Sequence, residues 1–240
     1  MLILVLFMLF GSVCLFLLVA VVSYLLGSFN SAIVVTKFFG VKEDIRSLGS
    51  GNAGFTNVLR TVGVFPAILT FAGDIVKSIV ALIFSNIAVR AIFCRIEEQF
   101  VHINKDFVSF IFSVTSLVCG IFLILGHVYP CFFRFKGGKA VTCLLPITLF
   151  FDFRVSLLAV GVFLLTLFFS RIMSLASMVG TLSLPAFNFF LGLIEKKEFQ
   201  YVSITTVLLL LIAMLIIYKH SGNIERIKNH TESKINIAKK

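Results

Sequence analysis

The sequence predicts an all-α polytopic membrane protein with about seven transmembrane helices, its N-terminus outside and its C-terminus inside. Three observations carry this prediction. First, 59% of the 240 residues are hydrophobic and the mean hydropathy is +1.09, where a soluble domain is roughly 45–50% apolar. Second, the apolar residues fall in long runs and not in a periodic stripe, and only 13% of residues are charged, too few to coat a soluble globule. Third, the cations are distributed unevenly between alternate loops, as the positive-inside bias requires.

A spanning helix needs about 20 mostly apolar residues. The first run, Leu2 to Leu26, is uncharged, and no Lys or Arg precedes Lys37. A cleaved signal peptide needs a positive leading segment, so this run reads as a retained helix. The second, Val64 to Val89, is interrupted by Asp74 and Lys77. The third runs from Phe107 to Leu125. The fourth, Ala140 to Phe151, is short and contains Pro146; the fifth runs from Val155 to Phe169. Only Asp152, Phe153 and Arg154 separate these two, so they form either a hairpin or one long bent span. The sixth, Ile172 to Ile194, contains Pro185, and the seventh runs from Tyr201 to Tyr218.

With the N-terminus outside, the inner segments carry Lys37, Lys42, Arg46, Arg60, Arg134, Lys136, Lys139 and Arg171. The tail adds Lys219, Arg226, Lys228, Lys234, Lys239 and Lys240. The outer loops hold Arg90, Arg95, Lys105, Arg154, Lys196 and Lys197. The formal net charge of +10 therefore lies mainly in short loops on one side. Such loops meet headgroups or phosphorylated substrates, and no nucleic-acid partner is expected. The whole chain, 1–240, reads as one integral membrane domain. Cys14, Cys94, Cys119, Cys131 and Cys143 form no C-x-x-C pair and are odd in number, so they read as small hydrophobes in helices.

The polar, Gly-rich segments all fall on the inner side. Gly49-Ser50-Gly51-Asn52-Ala53-Gly54 leads into Phe55-Thr56-Asn57-Val58-Leu59-Arg60. Glycines permit close backbone approach, consecutive N–H groups can converge on an anion, and arginine offers a forked cation. An ordinary interhelical loop fits the same composition. Gly126-His127-Val128-Tyr129-Pro130 precedes Phe135-Lys136-Gly137-Gly138-Lys139, a second cationic turn without Walker spacing. It reads equally as a positive-inside anchor. Ser174 and Ser177 share a helix face, as do His220 and Asn223; helix packing and an interfacial histidine explain both as well. Asp74 and Lys77 read as a structural pair supporting the nearby loop, although ionisable groups within a span are also functional candidates. No Ser-His-Asp signal, paired carboxylates or metal-ligand cluster stands out. His102 and Asp106 are one residue too close for an H-x-x-x-x-D acyltransferase motif. No metal or cofactor is expected.

Tyr24 to Ser28, Gly49 to Arg60, Gly126 to Lys139, Ser174 to Ser177, Tyr218 to His220, Asn223 and Glu232, in this order, resemble the bacterial acyl-phosphate:glycerol-3-phosphate acyltransferase (PlsY) family. The resemblance implies a seven-helix inner-membrane enzyme with its active site on the cytoplasmic side. It implies acyl phosphate and glycerol 3-phosphate as substrates, with membrane lipid around them, and 1-acylglycerol 3-phosphate (lysophosphatidic acid) as product in phospholipid synthesis. The family's substrate-contacting positions match Ser50, Arg60, Lys139, Ser177, His220 and Asn223 here, with Gly51, Asn52, Asn57, Gly137 and Gly138 inside the same motifs. Phe55 stands where Ala is usual, and Ala140 where Gly is usual. An organic-phosphate transporter would instead put polar residues at the midplane of several helices. A non-catalytic scaffold would not require cationic Gly-rich loops gathered on one side.

Overall fold

The computed structural model describes residues 2–97 and 105–235. His102, Lys239 and Lys240 lie outside these residues, as do the side chains of Cys94, Arg95 and Lys105. Regular structure among the described residues is helical, and it groups into two compact units, Met1–Phe151 and Asp152–Lys240.

The first unit begins with α1 (Leu2–Ser28) and α2 (Ser31–Phe38). Asn30 between them caps α2 by accepting the Ile33 N–H (3.1 Å). The short α3 (Phe55–Thr61) leads into α4 (Val64–Glu97), which is followed by α5 (Lys105–Val128) and α6 (Val141–Phe151). α1 packs along α5, and α4 packs on α1, α5 and α6. The α1–α5 contact is close because of two glycines. A Cβ on Gly27 would collide with the Leu123 carbonyl, and one on Gly126 with the Tyr24 carbonyl. Lipid is as apolar as a leucine side chain, so helices in a membrane associate through such backbone proximity. The contact brings the C-terminal ends of α1 and α5, and the loops that follow them, side by side.

The second unit is α7 (Phe153–Ser170), α8 (Met173–Ile194), α9 (Phe199–Lys219) and the short α10 (Ser221–Lys228). Asp152 caps α7 by accepting the Arg154 and Val155 N–H groups. It also pairs with the Arg154 guanidinium, which reaches Glu195 at the α8 end. α8 packs on both α7 and α9. At the other end of α8, Ile235 N–H donates to Arg171 O (2.8 Å), bringing the tail back to the α7–α8 turn.

Large apolar side chains stand outward, Phe169 at 79% and Ile194 at 75% exposed, as a lipid-facing surface tolerates. Among the described residues, six helical spans are long and apolar enough to cross a membrane; the first combines the end of α1 with α2 (Val13–Phe38). α6 is the exception to the expected seven. Its 11 residues rise only about 16 Å against a hydrocarbon core of about 30 Å. Asp74 and Lys77 do form the expected intrahelical ion pair, at 2.9 Å.

Candidate active site

The Gly49–Gly54 loop is held from inside chiefly by the Asn57 side chain. Asn57, buried on α3, accepts the Ser50 N–H at Oδ1 (2.9 Å) and donates from Nδ2 to Ile45 O (3.0 Å) and Leu48 O (2.9 Å). The sequence groups Asn57 with the substrate-binding positions; its amide is used within the loop, where it presents Ser50. Gly51 takes φ +72° and donates its N–H to Leu48 O (2.9 Å), while Gly54 N–H donates to Asn52 O (3.0 Å). These N–H groups are committed to the turn and do not converge on an anion. The loop's exposed polar groups are side chains: Ser50 is exposed, Asn52 half-buried, and Arg60 exposed in the last turn of α3.

The second turn is equally compact. Gly137 N–H donates to Val128 O and Gly138 N–H to His127 O, both at 3.2 Å. Gly138 is buried, and a Cβ there would meet the His127 ring and the Ala53 carbonyl. Both glycines are therefore explained by packing beneath Lys139, which is half-buried at the end of the turn. Ala140 follows at φ +62°, in the left-handed region that glycine enters without steric cost.

Arg46 joins the two segments, and the sequence gives it no role beyond its charge. It pairs with Asp44 and donates from one guanidinium nitrogen to Phe133 O (2.8 Å) and Lys136 O (3.0 Å). The Arg46 guanidinium holds the Asp44 carboxyl below the usual carboxylate range. Two Gly-rich segments some 85 positions apart thus lie against each other, one carrying Arg60 and the other Lys139. Nearby, the donor atoms of Asp74, His127 and Cys143 lie within 4.8 Å of one another. The Lys77 ammonium already stands among them, 2.8 Å from His127 Nδ1, so the group is a buried ion-pair network and not a cation site.

In the second unit the polar side chains converge on Glu232. Its Oε1 accepts from Ser174 Oγ (2.7 Å) and Asn223 Nδ2 (2.6 Å), and its Oε2 from Arg226 Nε (2.7 Å). Burial pushes the Glu232 carboxyl up; the hydrogen bonds from Ser174, Arg226 and Asn223 outweigh it and hold the group low. Ser174, an alternative to Ser177 on the same face, is thereby spent on the tail. Ser177 is buried and donates to Met173 O (2.9 Å). His220, buried between α9 and α10, lies 2.8 Å from Ile216 O through Nδ1; a carbonyl only accepts, so Nδ1 carries the proton. Glu232 and Arg226 are the residues that sequence reading leaves without a role. The signal for Glu232 is its place as a lone acid among Lys228, Lys234 and the terminal lysines.

A family model described as glycerol-3-phosphate acyltransferase matches residues 17–230, across both units. A glycerol-3-phosphate acyltransferase of Prochlorococcus marinus (strain MIT 9312) is 34% identical over 219 residues, 91% of this chain and 97% of that protein. One from Francisella philomiragia is 36% identical over 215 residues, 90% of each. Two crystal structures of PlsY, an integral membrane glycerol 3-phosphate acyltransferase, are similar. The glycerol 3-phosphate form has a TM-score of 0.73 at 32% identity, covering 92% of this chain and 96% of that one. The lysophosphatidic acid form has a TM-score of 0.71 at 31% identity, covering 92% and 95%.

Proposed function

The chain belongs to the glycerol-3-phosphate acyltransferase family, and from that premise we propose that it takes its acyl group from acyl phosphate. The acceptor is the 1-hydroxyl of sn-glycerol 3-phosphate. The products are 1-acylglycerol 3-phosphate and inorganic phosphate, and the reaction takes place at the cytoplasmic face of a bacterial inner membrane. The observation that carries this reading is the apposition of the two cationic Gly-rich segments, with Arg46 bonded to Phe133 O and Lys136 O. Both substrates bear phosphate, and a site for two phosphates needs two cationic side chains in fixed register.

Arg60 and Lys139 of the first unit, and His220 and Asn223 of the second, hold phosphate groups. Ser50 and Ser177 hydrogen-bond substrate. Gly51 and Asn52 shape the first segment, Gly137 and Gly138 the second, and Asn57 acts through Ser50. The donor is a mixed anhydride whose phosphate leaves readily, so positioning and electrostatic stabilisation supply most of the acceleration. The glycerol hydroxyl oxygen bonds to the acyl carbon, the bond from that carbon to the phosphate oxygen breaks, and the departing phosphate accepts the hydroxyl proton. No acyl-enzyme forms. The acyl chain lies against apolar helix surface open to lipid.

Purified protein supplied with palmitoyl phosphate and radiolabelled glycerol 3-phosphate yields labelled lysophosphatidic acid. Product from palmitoyl-CoA or palmitoyl acyl carrier protein, with none from palmitoyl phosphate, rejects the donor. Arg60→Ala and Lys139→Ala each lower kcat/KM by on the order of 10²-fold; near-normal rates reject their assigned roles.

A further inference from the structure

Beneath the two loops lies a buried charge network that the acyl-transfer chemistry does not use. Asp74 and Lys77, one turn apart on α4, are 1% and 6% exposed. The Asp74 carboxylate accepts from Ser31 Oγ and pairs with the Lys77 ammonium, both at 2.9 Å. The ammonium also donates to Gly27 O (3.4 Å) in the last turn of α1, to Phe29 O (3.0 Å) just past it, and to His127 Nδ1 (2.8 Å) at the end of α5. An ammonium has no lone pair, so Nδ1 accepts and the ring proton sits on Nε2.

Both branches of the network end at a loop. Phe29 precedes Asn30, whose Nδ2 donates to Ala53 O (3.4 Å) in the first loop. His127 O accepts the Gly138 N–H in the second. The position a Cβ on Gly138 would take is 2.6 Å from Ala53 O and closer still to His127 Nε2. The imidazole edge, the second loop and the first loop therefore meet at one point. Replacing a buried ion pair with apolar side chains of similar volume often costs little stability. What this pair fixes is where the C-terminal ends of α1 and α5 sit against the N-terminal half of α4.

We propose that Asp74, Lys77 and His127 form a positioning unit that sets the register of segments 49–54 and 134–139, and through them of Arg60 and Lys139. Only that last link rests on the proposed function. The three residues touch no substrate; they act through the loops.

Two His127 variants separate positioning from space filling. His127→Leu fills most of the ring's volume and offers Lys77 no acceptor. His127→Asn is smaller and keeps an acceptor near the Nδ1 position. The positioning unit predicts that the Leu variant is the defective one. Hydrogen exchange in peptides covering 49–54 and 134–139 accelerates on the order of tenfold, and KM for glycerol 3-phosphate rises by a similar factor with kcat changed less. The Asn variant stays within about threefold of wild type. The reverse order, Leu intact and Asn defective, overturns the proposal, as does wild-type exchange in both. A double variant, Asp74→Asn with Lys77→Met, removes both charges without stranding either. It accelerates exchange in the same two segments, and unchanged exchange there overturns the proposal too. Exchange is measured without substrate, so failure of acyl phosphate as donor leaves this result readable.

Discussion

Glu232 shows how much one side chain can organise. Its two oxygens gather Ser174 from α8, and Asn223 and Arg226 from α10, so the tail is fixed to the helices that carry Ser177 and His220. Its carboxyl titrates below the ordinary value of 4.5, because the hydrogen bonds outweigh the effect of burial. A folded value below the unfolded one means that the contribution to stability is complete above about pH 4.5. It is lost as pH falls through the lower folded value. Glu232→Gln keeps one oxygen acceptor and turns an NH2 toward the other donors. It is expected to lower Tm by about 2–4 °C, with that difference constant between pH 7 and 5 and shrinking on further acidification. A difference that widens below pH 5 contradicts the assigned ionisation. At the same scale, Ala140 at φ +62° explains why glycine is usual at its position. Alanine is the smallest side chain that can occupy left-handed backbone, and a β-branched residue there would be a severe outlier.

The short elements between helices are positioned by hydrogen bonds that charge patterns do not reveal. Arg46 sits in a 3-10 turn, Ile45–Ser47. Its fork pairs with Asp44 while one nitrogen bridges Phe133 O and Lys136 O. A lysine ammonium lacks the planar fork and cannot span both sides at once. Arg46→Lys and Arg46→Ala should therefore be similarly impaired, each raising KM for glycerol 3-phosphate by on the order of tenfold. Full rescue by lysine would show that charge alone matters. The sequence made the long helices legible because an uninterrupted apolar run has one physical outcome in lipid. Ser50, Arg60 and Lys139 lie in or beside the Gly-rich segments that the sequence picks out, Ser50 and Arg60 exposed and Lys139 half-buried. The sequence did not distinguish Asn57, Gly137 and Gly138 as packing and turn residues, because the same residue types serve loops and ligands. Arg46 stayed hidden because its partners Phe133 O and Lys136 O are backbone carbonyls far along the chain; Glu232 belongs to the matching motifs, but its place as the common acceptor for Ser174, Asn223 and Arg226 shows only in the fold.

At the scale of the whole molecule, the decisive element is α6. The Gly137 turn follows α5, and α7 begins at Phe153, so whether α6 crosses sets the sidedness of everything after it. The helix alone is too short. The non-helical residues Gly137 to Lys139 precede it, and at no more than about 3.3 Å per residue they add up to about 10 Å to the helix's rise of about 16 Å, which narrows the gap to the hydrocarbon thickness. Non-helical backbone is tolerated at membrane depth where protein surrounds it, and Gly138 and Ala140 are buried. A completed crossing leaves six between the first Gly-rich loop and the tail, an even number, in agreement with the cation asymmetry. Cysteines introduced as Lys42→Cys and Asn229→Cys, both at exposed positions, should then react with a membrane-impermeant maleimide from the same side. A cysteine introduced as Lys196→Cys should react from the other, with the unsubstituted protein as the blank. If Lys42→Cys and Asn229→Cys react from opposite sides, α6 turns back, and Lys139 and His220 cannot serve one reaction at one membrane face.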